Sequence, residues 1–144
     1  IDPIIMLFGC NANVSISNEN PNYIVEDGIL YSKDKSKLLA CLEMKTGEIL
    51  IPSTVKRIGK LAFDCQKINK VTFQEGIEVI EDRAFTICGD LKEVIIPSSI
   101  KQIEPGAFER CGSLTKISIQ KTENSISGAP WGAPKGMKVV NWNG

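Results

Sequence analysis

ILIPSTVKRIGKLAFDCQKINK (residues 49–70), VTFQEGIEVIEDRAFTICGDLKE (71–93) and VIIPSSIKQIEPGAFERCGSLTK (94–116) are three versions of one phrase. Set under one another they align Ile49/Val71/Val94, Val55/Ile77/Ile100, Ile58/Ile80/Ile103, Ala62/Ala84/Ala107, Phe63/Phe85/Phe108, Cys65/Cys88/Cys111 and Ile68/Leu91/Leu114. The steps are 22 and then 23 residues. A chain that repeats itself at such a period forms a solenoid, because one unit cannot bury its apolar side alone and must stack on a copy of itself.

Within each coil the apolar period changes. Val71-x-Phe73 and Val94-x-Ile96 alternate as a short strand whose end residues face inward and whose middle residue faces out. Pro52 and Pro97 close that strand in two coils, where a residue without N–H is tolerated. Further on, Ala107-Phe108-x-x-Cys111 with Leu114 has spacings of three and four, which predict a turn or so of helix. Pro105 suits the first helical turn and Gly89 and Gly112 suit positive-φ positions at its end. The first coil is one residue shorter at Phe63-Asp64-Cys65, so its helical turn is expected to be irregular. Stacking would then build ladders of Ile/Val, Ala, Phe and Cys. Cys65, Cys88 and Cys111 are expected as buried thiols that behave as small hydrophobes, not as disulfides.

The flanks depart from the phrase. NENP (18–21) reads as a turn. After it, Tyr23-Ile24-Val25, the Asp27-Gly28 turn, Ile29-Leu30-Tyr31, a second polar turn and Leu38 to Leu42 read as a three-stranded meander. At the other end Ile117-Ser118-Ile119 restarts the strand and Ile126 aligns with Ile58, Ile80 and Ile103. Trp131 is expected at the Phe position, Met137 at the Leu91/Leu114 position, and Val140 begins another strand. GAPWGAP (128–134) cannot be a regular helix, so this coil reads as a cap with Trp131 and Trp142 covering the core. Two readings compete for residues 1–10: a degenerate coil, in which Phe8 and Cys10 echo Phe63 and Cys65, and a lipoprotein cleavage box ending in Cys10. Asn13-Val14-Ser15 formally matches a glycosylation sequon.

Composition narrows the function classes. Lys+Arg and Asp+Glu number 17 each, so no net field draws the chain to nucleic acid or to an anionic membrane. No histidine is present, which removes Ser-His and Cys-His catalysis. No apolar run has the length of a membrane span. Five cysteines without a CxxC pair do not suggest a zinc site. Glu75, Glu78, Glu81 and Asp82 fall on expected solvated coil edges rather than in a pocket. No catalytic, cofactor or metal residues are assigned, and the chain reads as a non-enzyme.

The phrase IPSSIKQIEPGAFERCGSLTKI, the meander NPNYIVEDGILYSKDKSKLL and the ending APWGAP together resemble the BspA-like leucine-rich-repeat family of bacterial and protist cell-surface proteins, over about Asn18 to Trp142. The resemblance implies a right-handed leucine-rich-repeat solenoid, secreted or displayed at the cell surface, with adhesion to host or matrix proteins in some members. It carries over no catalytic motif and no fixed binding residues. The expected fold class is therefore α/β: a right-handed solenoid of short parallel strands and short helical turns, with an antiparallel meander and a Trp/Pro-rich cap. One domain is expected over residues 1–144, with a degenerate first coil (1–22), a meander insertion (23–48), three regular coils (49–116) and a C-terminal coil and cap (117–144).

Function is expected in what the coils display. The outward residues of successive strands, Leu50, Thr72, Ile95 and Ser118, form one candidate protein-binding row, against the reading that scattered exposed apolar residues are ordinary. Tyr23 and Tyr31 form a second candidate patch, against hairpin packing. The partner is expected to be a protein, host or extracellular matrix, or a glycan. The alternative is a structural spacer or cap of a larger surface protein with no ligand of its own.

Overall fold

The computed structural model describes residues 16–17, 19–123, 125–134 and 139–144. Among them are the strands β1 (Tyr23–Glu26), β2 (Ile29–Ser32), β3 (Lys37–Cys41), β4 (Thr46–Ile51), β5 (Arg57–Ile58) and β6 (Lys67–Phe73). They are followed by β7 (Val79–Ile80), β8 (Glu93–Ile96), β9 (Gln102–Ile103), β10 (Lys116–Ile119) and β11 (Val140–Trp142). The strands sort into two sheets, β11-β10-β8-β6-β4 and β1-β2-β3-β5-β7-β9. Every pair in the first sheet is parallel, as is every step from β3 to β9 in the second. The chain is a parallel β-solenoid, wound so that each of the three coils from β4 to β9 adds one strand to each sheet.

The ladders fall where the repeat places them. Ile49 pairs with Val71, Val71 with Val94 and Val94 with Ile117. Val71, Val94, Ile117, Ile58, Ile80, Val55 and Ile100 are fully inaccessible. Phe63, Phe85 and Phe108 stack along the axis, with ring centroids 4.9 and 5.6 Å apart and interplanar angles of 2° and 16°. Phe73 meets Phe85 edge-on at 6.0 Å. Each such ring contributes on the order of 1.5–3 kcal/mol through burial.

The α component is corrected. No helix forms among the described residues, and the Ala-Phe phrase is a string of tight turns. Two features exclude a helix. First, the backbone N–H groups that an α-helix would direct four residues back are used between coils: Phe63 N donates to Ala84 O (2.8 Å), Phe85 N to Ala107 O (2.9 Å), Cys65 N to Thr86 O (3.1 Å) and Ile87 N to Glu109 O (3.0 Å). Second, the chain turns left-handed twice per coil, at Leu61, Arg83 and Gly106 and again at Cys65, Ile87 and Arg110 (φ 56–81°). A left-handed residue every four positions cannot continue a right-handed helix. The positive φ thus falls two residues before Gly89 and Gly112, not on them. The solenoid consequently has a third hydrogen-bonded ladder along its Ala-Phe corner.

The shared left-handed positions also correct the alignment of the first coil. Its turn has the same geometry as the others through Gln66, and the missing residue is lost between Gln66 and Ile68. Gln66, not Cys65, therefore holds the place of Cys88 and Cys111. It is buried, and its Oε1 accepts from Lys45 N at 2.6 Å. Cys65 is exposed. Cys88 and Cys111 are buried thiols that donate to Phe63 O (3.1 Å) and Phe85 O (2.9 Å), one coil back.

The ends are built differently. β1, β2 and β3 are antiparallel, and β3 then pairs in parallel with β5, so the meander extends the second sheet beyond β5. A register shift between Leu30 and Tyr31 turns its two faces into two clusters. Ile29, Tyr31 and Leu38 join the main core, whereas Leu30, Ala40 and Leu42 gather Ile16, Tyr23, Val25 and Leu39 on the other side. At the C-terminal end Trp131 is buried and its O accepts from Phe108 N at 3.0 Å. That is the bond Ala84 and Ala107 make, so Trp131 takes the Ala position and not the Phe position. Its indole N–H donates to Ser127 O at 2.8 Å, and Trp142 meets it edge-on at 6.2 Å. Phe8, Cys10, the sequon at Asn13 and Met137 lie outside the described residues.

Candidate functional site

The parallel pairing brings the predicted outward residues together. Leu50 faces Thr72, Thr72 faces Ile95, Ile95 faces Ser118 and Ser118 faces Asn141. At the spacing of neighbouring strands, Leu50 to Ser118 spans on the order of 15 Å. Exposure falls along the row: Leu50 is 57% accessible, Thr72 and Ile95 are half-buried, and Ser118 is 8% accessible. The accessible end of the row is its N-terminal one.

Two positions earlier on each strand runs a second row on the same face, which reading the repeats for apolar ladders alone overlooks. Glu48 faces Lys70, Lys70 faces Glu93 and Glu93 faces Lys116, so the charge alternates strand by strand. Glu93 is held from both sides, by Lys70 and Lys116, each at 3.7 Å. Repeated E-K-E-K spacing two residues before the outward residue is the signal that would have found it. Opposite charges on adjacent strands each add a few tenths of a kcal/mol and disfavour a slipped register.

The second candidate patch does not assemble. Tyr23 opposes Ser32 and Tyr31 opposes Ile24, which puts the two tyrosines on opposite faces of the meander. Tyr31 is 6% accessible, and burial together with the nearby Glu26 and Asp27 raises its phenol above the usual range. Tyr23 packs half-buried against the Leu30, Ala40 and Leu42 cluster.

The carboxylates at the coil edges tie neighbouring coils together. Glu81 accepts from Arg57 at 3.2 Å and lies 3.7 Å from Lys37. Glu78 pairs with Lys101 at 3.2 Å, Glu75 accepts from Ser98 at 2.8 Å, and Asp82 N donates to Glu104 at 2.7 Å. Their contacts run to neighbouring strands of the stack rather than converging on a common point. Cys88 has its thiol pushed well up by the adjacent Cys111 sulfur and by burial, and burial pushes Cys41 up to about 11. Neither is poised as a thiolate nucleophile. Among the described residues no helix is long and apolar enough to cross a membrane.

A solenoid of short parallel strands with an alternating-charge, partly apolar outer face defines a repeat scaffold. The family follows from sequence: residues 40–130 match the model of the BspA type leucine rich repeat region in 6 copies, and the chain belongs to that family. Among solved structures, the pneumococcal vaccine antigen PcpA matches with a TM-score of 0.61 at 20% identity, covering 88% of this chain and 38% of that one. A leucine-rich repeat protein from Eubacterium ventriosum matches with a TM-score of 0.41 at 20% identity, over 73% of this chain and 42% of that one. The chain thus spans well under half the length of either. No curated protein sequence matches it.

Proposed function

We propose that the chain is a secreted or surface-displayed, non-catalytic protein-binding module that adheres to host or matrix components through the outer face of its parallel sheet. Membership of a repeat family that serves protein interaction supports the general reading, and the likeness in fold to PcpA, a vaccine antigen, is compatible with display outside the cell. The observation that carries the site is the single register row of Leu50, Thr72, Ile95 and Ser118, beginning at a leucine left 57% accessible. Exposed aliphatic residues on a rigid sheet supply contact area at small ordering cost, and the flanking lysines and glutamates provide a polar rim. The test is solid-phase binding of the chain to immobilised extracellular-matrix proteins, with Leu50→Asp and Ile95→Asp beside the parent. Loss of capture in both variants supports the row; equal capture by parent and both variants removes it.

A further inference from the structure

The two sheets end at different levels. β5 belongs to the coil that begins with β4, yet the second sheet continues past β5 through β3, β2 and β1, while β4 is the last strand of the first sheet. The overhang leaves a groove of about 540 Å³, walled by Ile29 and Tyr31 of the meander and floored by Ile49 and Leu50 of β4, with Asp27 and Lys45 at one end.

Three observations describe what fits there. β4 has one free edge among the described residues. Gln74 N reaches Ile51 O across the β4–β6 step, so by alternation the N–H and C=O of Leu50 point the other way, into the groove. The inward ladder is incomplete at this point: Val71, Val94 and Ile117 are fully buried, but Ile49, the member beside the groove, is only half-buried. The charge row is also incomplete. It runs Lys116, Glu93, Lys70, Glu48 and stops at an exposed glutamate with no ion pair among the described residues, whereas the nearby Asp27 and Glu26 are already paired with Lys45 and Lys35.

We propose that this groove receives an extended segment of another polypeptide, added as one more strand parallel to β4. Register fixes its pattern as Lys or Arg, then a β-branched residue, a polar residue and a second β-branched or aromatic residue. The cation stands opposite Glu48, and the residue after it closes over Ile49 and Tyr31. Main-chain hydrogen bonds to the Leu50 edge supply affinity and the alternating side chains supply selectivity. The chain's own strands show the fit, since Lys70-Val71-Thr72-Phe73 and Lys116-Ile117-Ser118-Ile119 hold this pattern beside Glu93. The chain's own upstream sequence fits less well: in the repeat alignment that sets Cys10 on Cys65, Ser15 would stand opposite Glu48, a hydroxyl in place of a cation, and Ile16 packs in the cluster on the far face of the meander.

The experiment is fluorescence anisotropy of a labelled hexapeptide, TKISIQ (residues 115–120), titrated with the full chain. Saturable binding is expected, weakened about fivefold or more by Glu48→Lys, as losing an exposed ion pair and gaining a like charge requires. Replacing the probe's lysine with glutamate should restore binding to the Glu48→Lys chain. Leu50→Pro, which removes a donor only on the groove side, should abolish binding with an unchanged melting curve. Ile95→Asp lies two strands from the groove and should bind the probe as the parent does, so failure of the outer-row reading and failure of this one are separable. No saturable binding at millimolar concentrations, or equal affinity of parent and Glu48→Lys for the lysine probe, overturns the proposal.

Discussion

The two ends of the solenoid face the same problem and meet it in opposite ways. At the C-terminal end, Trp131 replaces the alanine of the regular phrase, preserves its carbonyl hydrogen bond to Phe108 N, and is buried beside Trp142. At the N-terminal end nothing comparable covers β4 among the described residues: Ile49 is half-buried, Leu50 is exposed and Glu48 lacks the lysine that its row calls for. An edge strand of six residues is a template for another strand unless something covers it. Among the described residues the contrast is between an end covered by Trp131 and an edge strand paired on one side.

Substitutions sharpen this contrast. Phe85→Ala, with a ring stacked on each side, should cost about 3–5 kcal/mol in urea melts, and Trp131→Ala should match it if the C-terminal end is packed like the interior. A cost for Trp131→Ala under about 1 kcal/mol would mean the end is not closed. At the other end, Ile49→Ala should cost only about 1 kcal/mol, against about 2–5 for the fully buried Ile96→Ala, because part of the Ile49 side chain already meets water. Equal costs would show that the groove is filled in solution.

The Ala-Phe corner offers a stabilising change. Ile87 is β-branched, 43% accessible and held at φ 57°, a conformation that costs an L-residue about 1–2 kcal/mol and that asparagine adopts more readily. Ile87→Asn should therefore raise stability by about 1 kcal/mol, and a loss of stability would mean that its exposed side chain makes a contact the corner needs. Thiol accessibility gives the smallest effect. In iodoacetamide labelling at pH 8 followed by mass spectrometry, Cys65 should react first among the described cysteines. Cys41, held protonated by burial, should follow slowly, and Cys88 and Cys111 should react only on unfolding. Labelling of Cys88 as fast as Cys65 would contradict the corrected alignment. Both accessible thiols should react faster as pH rises, since the hydrogen bond to Asp64 holds Cys65 up and burial holds Cys41 up.

The repeat made the strands, the Phe ladder and the outer row legible, because a period of two along each strand and of 22 or 23 between strands fixes both facing and register. The corner was not legible. Spacings of three and four residues suit a helix and a chain of tight turns equally, and the deciding fact is that Phe63, Phe85 and Phe108 send their N–H groups to the next coil. Cys65 was misplaced because sequence alone cannot locate a one-residue gap. Matching cysteine to cysteine put the gap before it, whereas Gln66 satisfies the buried position through its amide. Trp131 misled for a related reason: its size matches Phe108, but its carbonyl accepts the inter-coil hydrogen bond that Ala107 accepts one coil earlier. The charge row was readable in the alignment. The groove was not, because it exists only once β3 joins β5 and carries the meander past the end of β4.

Amide hydrogen exchange of the native chain tests the open edge most directly. Thr72 and Ile95 lie in strands paired on both sides, whereas the Leu50 amide faces the groove. The expected result is near-unprotected exchange at Leu50, with protection at Thr72 and Ile95 greater by on the order of a thousandfold. Protection at Leu50 equal to that at Thr72 would mean the edge is already occupied, and would contradict the account of an open end.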